Sequence, residues 1–135
     1  MIPLQLIKII RIEIMNIQKL NEAIQNLQDD IGDGLVACDI FTVAEGMSIA
    51  SYNAQPKASA LFNQLTTNMM KTLRGAKFPN LNRYYLLDLE DDHMVIVLPF
   101  GDYRVGILVN SKKVQLGLVL SIAIPNILDS IEEAL

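Results

Sequence analysis

The chain has 135 residues, 51% hydrophobic and 19% charged, with a formal net charge of -4. That length gives one domain with one core, since folding at this size removes roughly two-thirds of the unfolded chain's surface from water. The acidic balance, with a pI near 4.8, offers no basic field for phosphates and argues against nucleic acid and against an anionic membrane surface.

The one cysteine, Cys38, cannot form an internal disulfide, which fits a reducing cytoplasm. So apolar a composition leaves surface for a partner, and a second copy of the chain is the simplest one.

The first fourteen residues, MIPLQLIKIIRIEI, look at first like a targeting segment. The run is too short to span a bilayer, Lys8, Arg11 and Glu13 interrupt it, and no small-residue cleavage site follows, so stable membrane insertion is not expected. Ile10, Ile12 and Ile14 alternate with Arg11 and Glu13, a period of two that predicts an extended strand. Residues 1–15 are therefore read as an apolar extension carrying an extra strand, ahead of a domain over 16–135. A natural start at Met15 is the other reading.

From Asn16 as N-cap, the spacing of Ile17, Leu20, Ile24, Leu27 and Ile31 predicts a helix that ends at Gly32. Leu35 to Thr42 and Met47 to Tyr52 are two β-rich runs joined through Glu45 and Gly46, which predicts a hairpin. Pro56 then opens a second helix running to about Arg74, stopped by Gly75. Its stripe of Ala58, Leu61, Phe62, Leu65, Met69 and Leu73 is expected to face the sheet. Opposite lie Ala60, Asn63, Thr67, Met70, Lys71 and Arg74, a mostly small or polar face open either to solvent or to another helix. For Arg74 a structural ion pair is expected.

Three strand-like runs follow in quick succession, Tyr84 to Leu89, Met94 to Leu98 and Tyr103 to Asn110, and their short connections make them antiparallel neighbours. From about Lys112 to Leu135 a third helix is expected, with Ile124, Leu128, Ile131 and Leu135 on one stripe. Pro125 predicts a kink or restart, and Leu116 to Ile124 is apolar enough all round to need cover.

Catalytic constellations are hard to assemble from one His and one Cys. His93 follows an acidic turn at a hairpin tip and reads as a solvated side chain. Cys38 falls in a hydrophobic strand with no neighbouring cation in sequence, and reads as a buried, inert thiol. The run Asp88, Glu90, Asp91 and Asp92 lacks the oxygen spacing of a calcium loop, and Gly32, Asp33 and Gly34 fit no phosphate loop or dinucleotide fingerprint. No enzyme activity, metal or cofactor is expected.

From Asn16 to Leu135 the sequence resembles roadblock domains, the group that includes dynein roadblock light chains and bacterial regulators of Ras-like GTPases. The matching segments are VACDIFTVAEGMSIASYN for the hairpin, ALFNQLTTNMMKTL for the central helix, VIVLPFGDYRVGILVN for the closing strands and VQLGLVL, with Gly117, for the last helix. The VAEG loop departs from the acidic-glycine turn usual in the family, and the leader has no counterpart there.

The resemblance implies an α+β fold, a profilin-like α/β/α sandwich: a five-stranded antiparallel sheet with the central helix on one face and the N- and C-terminal helices on the other. It further implies a cytoplasmic homodimer that is not an enzyme and serves as a platform for a small Ras-like GTPase. Pairing would run edge to edge through Tyr84, Leu86 and Asp88, with the face of Ala60, Asn63, Thr67, Met70, Lys71 and Arg74 against its copy or a partner. Profilin-like sandwiches also resemble PAS and related ligand-holding folds, so a small-molecule sensor is the alternative; it requires an enclosed apolar cavity with a few convergent polar groups.

Overall fold

The computed structural model describes residues 1–134, with the backbone alone for residues 8–15. Its elements run α1 (Leu4–Ile31), β1 (Leu35–Thr42), β2 (Ser48–Tyr52), α2 (Pro56–Gly75), β3 (Tyr85–Leu89), β4 (His93–Phe100), β5 (Tyr103–Asn110), the short turn α3 (Leu116–Leu118), a π turn over Val119–Ala123, and α4 (Ile124–Ala134).

The leader is helical, which corrects the strand expected there. α1 is continuous from Leu4, so Asn16 lies inside the helix and Pro3 takes the cap position. In sequence, Ile7, Ile10, Ile14 and Ile17 lead by steps of three and four into Leu20, Ile24, Leu27 and Ile31. The same isoleucines thus carry both a period of two and a helical stripe. Extending a helix already nucleated downstream needs no second nucleus, and this outweighs the small β preference of the isoleucines.

Among the described residues the first buried one is Leu20. Leu20, Ala23, Ile24 and Leu27 of α1 join Ile124, Ile127 and Ile131 of α4 over one face of the sheet, against Cys38, Ile40, Ile96, Leu98, Val105 and Ile107. The antiparallel sheet has the order β2-β1-β5-β4-β3, which leaves β2 and β3 as its edges. Strand residues alternate between faces, so Ala37, Asp39 and Phe41 turn away from this core toward α2. The expected sandwich holds, with terminal helices on one side and the central helix on the other.

Two glycines set the entry to β1. Gly32 ends α1 at φ 74°, donating its N–H to Gln28 O, a conformation that costs a residue without a Cβ little. Gly34 is needed for space: a Cβ there would sit 2.2 Å from Val114 Cγ1 and 3.0 Å from Lys113 O.

The C-terminal helical run starts at Leu116, later than the expected Lys112. Pro125 has no N–H to bond the carbonyl four residues back, and the chain takes the π turn Val119–Ala123 directly before it. Cover over this stretch is partial, which corrects the expectation: Val119 and Ala123 are buried, whereas Leu116, Leu118 and Ile122 are exposed. Leu135, assigned to the last apolar stripe, lies outside the described residues.

Candidate functional site

The central helix is seated on the sheet by polar contacts. Its two buried residues are Ser59 and Thr66. Ser59 Oγ donates to Asp39 Oδ2 in β1, and Ser48 Oγ of β2 donates to the other oxygen of that carboxylate at 2.5 Å. Asn63 Nδ2 donates to Val43 O at 2.9 Å. Arg104 of β5, only 5% exposed, donates through Nη1 to Asn63 O, to Asn63 Oδ1 at 2.8 Å and to Thr67 Oγ1 at 2.8 Å, while Nη2 points at Met70 Sδ. Thr66 Oγ1 spends its proton on Phe62 O, so at 2.6 Å the Tyr85 hydroxyl must be the donor to Thr66. α2 therefore crosses the strands from Asp39 on β1, over Arg104 on β5, to Tyr85 on β3.

This seating corrects the two faces read from the sequence. The inward stripe is Ser59, Asn63, Thr66 and Met70, spaced four, three and four, and roughly a quarter turn away from the apolar stripe. Asn63, Thr67 and Met70, assigned to an outward face, are part-buried against Arg104. Ala60, Lys71 and Arg74 are exposed as expected. The ion pair expected for Arg74 is not formed: among the described residues the one salt bridge is Lys112 to Asp92 at 3.3 Å. The physical reason for the rotation is that β1 and β5 each present a charged group on the α2 face. Under an apolar stripe Arg104 would lose its oxygen acceptors and Asp39 would keep only Ser48, a larger loss than exposing a few leucines.

The consequence is an apolar flank that this chain does not cover. Leu61 is 58% exposed, Ala58 is exposed, and Leu65, Met69 and Leu73 are half-buried. Beyond the helix, Phe78 is 66% exposed. In the sheet, β3 has no neighbour beyond β4. Of the residues assigned to that edge, Tyr84 precedes the strand and is exposed, Asp88 is exposed within it, and Leu86 turns to the opposite face and packs against the main core.

Beside the N-terminal half of α2 lies a groove of about 320 Å³. Ala37, Leu108 and Val95, which stand in one row across β1, β5 and β4, line it together with Ala58, Ser59 and Phe62 of α2 and with Asp39 and Gly106 of the next row. It is open to solvent and so differs from the enclosed chamber that a sensor of the expected kind requires. Cys38 also borders it, but burial, and then the neighbouring Asp39 charge, push its thiol far above the ordinary range, which keeps it protonated and inert. His93 is exposed at the start of β4, its Nδ1 3.2 Å from Glu90 O.

Burial pulls the Arg104 guanidinium below its ordinary pKa, opposed by Tyr85, and pushes the Tyr85 phenol up, opposed by the Arg104 charge. Asp39, Ser59, Thr66, Tyr85 and Arg104 all escaped the sequence reading. The available signal was a charged residue at an inward position in each of two otherwise apolar strands, matched by hydroxyl and amide groups at helical spacing in α2.

Edge strand, uncovered helix flank and sandwich together define a roadblock domain fold. Solved structures share it: Myxococcus xanthus MglB superposes with a TM-score of 0.70 at 12% identity, over 88% of this chain and 92% of that one. The gliding protein mglB of Thermus thermophilus gives 0.68 at 11% identity over 87% and 92%, and a roadblock/LC7 domain from Streptomyces avermitilis gives 0.60 at 10% identity over 84% and 92%. No protein-family model and no curated protein matches the sequence.

Proposed function

We propose that the protein is a non-catalytic homodimeric platform that binds a small Ras-like GTPase and regulates or scaffolds it in the cytoplasm. Two observations carry this reading together, the uncovered flank of α2, Leu61 with Leu65, Met69 and Leu73, and the free edge of β3, the strand that α2 reaches at Thr66 and Tyr85. A free strand edge invites pairing with another strand, and an exposed apolar stripe supplies area to bury. Two copies meeting β3 to β3 satisfy both at once, and the exposed Ala60, Lys71 and Arg74 remain on the upper surface of the paired helices for a partner. Among described helices none is long and apolar enough to cross a membrane. The roadblock fold supports the choice of partner, since roadblock dimers serve as GTPase platforms. Such a platform acts by differential affinity: it shifts a nucleotide state only as far as it binds one switch arrangement better than the other.

Light scattering of the purified chain at micromolar concentration gives twice the chain mass on this reading. Gel filtration with a small Ras-like GTPase of the same genome, loaded with GDP or with a GTP analogue, gives co-elution in one state in preference to the other. A monomer in the first experiment, or co-elution in neither state for every such GTPase, overturns the proposal.

A further inference from the structure

The groove beside α2 joins apolar walls to one buried charge. Asp39 is its only charged lining residue, is 6% exposed, and among the described residues has no cationic side chain within salt-bridge distance. Arg104, the nearby buried cation, is committed to Asn63, Thr67 and Met70. Each Asp39 oxygen accepts one serine hydroxyl, which leaves acceptor capacity on both. A buried negative charge held by neutral donors alone gains from a cation brought to it in a site of low dielectric. The walls of Val36, Ala37, Ala58, Phe62 and Leu108 offer an apolar body its cover. Gly106, directly across from Asp39 on β5, adds no side chain of its own to the groove.

From this charge complementarity we infer that the groove binds a small organic cation, an ammonium group on a short apolar body, with Asp39 as its counter-charge. The volume of about 320 Å³ suits a molecule at the small end of ligand size. The groove shares Ala58 and Phe62 with the apolar side of α2, but its counter-charge stands on β1, while β3 lies beyond β4 at the far edge of the sheet.

The test is a titration of the full-length chain with n-hexylammonium and, in parallel, with 1-hexanol, followed by amide chemical shifts. Saturable shifts at Ala37, Asp39, Ser59 and Gly106 are expected, with the alcohol about tenfold weaker than the ammonium, the difference made by one charge-assisted contact. Asp39→Asn should abolish that difference and leave alcohol binding in place. Because Asp39 also holds Ser48 and Ser59, a second variant leaves it intact: Ala58→Leu fills the groove from α2 and should abolish both titrations. Equal affinity for ammonium and alcohol, shifts that map elsewhere, absence of saturation, or ammonium binding that survives Ala58→Leu would each overturn the inference. Light scattering on the same samples reads the dimer separately, so loss of one result does not remove the other.

Discussion

The guanidinium of Arg104 lies beneath α2 and donates to Thr67 Oγ1 at 2.8 Å, in a protein where no carboxylate among the described residues pairs with it. A buried charge supplied by neutral acceptors makes α2 and β5 one unit, because moving the helix away strands the charge. Arg104→Met removes the donors of Asn63 Oδ1 and Thr67 Oγ1 together and should cost about 3 kcal/mol of unfolding free energy. Arg104→Lys should recover only part, since its shorter stem stops short of the Nη1 position on which the three oxygens converge and it gives up the Nη2 contact to Met70. Urea unfolding followed by circular dichroism measures both, and an Arg104→Met variant as stable as the parent would mean the helix is seated by something else.

The far end of the same helix carries a pH signature. Burial raises the Tyr85 phenol above its ordinary value, so the folded state holds this proton more tightly than the unfolded chain does. A group with a raised folded pKa contributes its full stability below the unfolded value and loses it as pH climbs through the folded one. Unfolding free energy should therefore decline as pH rises above about 10. Tyr85→Phe should remove that portion of the slope and cost about 1 kcal/mol at neutral pH, the value of its bond to Thr66. Denaturant midpoints across the alkaline range, compared between parent and variant, decide the matter.

These contacts show what was legible beforehand and what was not. The hairpin, the central helix, the closing strands and the sandwich follow from local pattern and turn chemistry, because alternation, Gly46 and Pro56 act over a few residues. The rotation of α2 does not follow. Apolar periodicity locates the greasy stripe of a helix, but Asp39 and Arg104 decide which stripe turns inward, and their placement on one sheet face depends on a register between β1 and β5, strands far apart in sequence. The leader failed for a local reason: its isoleucines satisfy two periods at once, and only continuity with the downstream helix chooses between them.

Because the greasy stripe faces out, its charge should be tunable without cost to the fold. Leu61→Glu alters a side chain that is 58% exposed, so the change in monomer stability should stay within about 0.5 kcal/mol. On the platform reading the same substitution sets two carboxylates near a two-fold axis and should halve the mass seen by light scattering. Thr66→Val, at a fully buried position on the inward stripe, should do the reverse, lowering stability by about 1 kcal/mol while the dimer persists. A variant at Leu61 that unfolds the chain, or leaves a dimer intact, would place the interface on another surface.

The loop into β1 offers the sharpest steric test, because two different atoms crowd one missing methyl group. In Gly34→Ala the new Cβ would meet Val114 Cγ1 at 2.2 Å and Lys113 O at 3.0 Å. The first contact is with a side-chain methyl that another substitution can remove; the second is with backbone. Gly34→Ala alone should destabilise by about 2 kcal/mol through overpacking. Adding Val114→Ala relieves the closer clash and opens little new cavity, since Val114 is only partly buried, so the double variant should regain about half of that loss. Full recovery would mean that Lys113 O yields freely and that the joint between β1 and the segment before α3 is soft. No recovery would mean that the backbone contact carries the whole strain, and denaturant midpoints of the two single variants and the double variant distinguish the three cases.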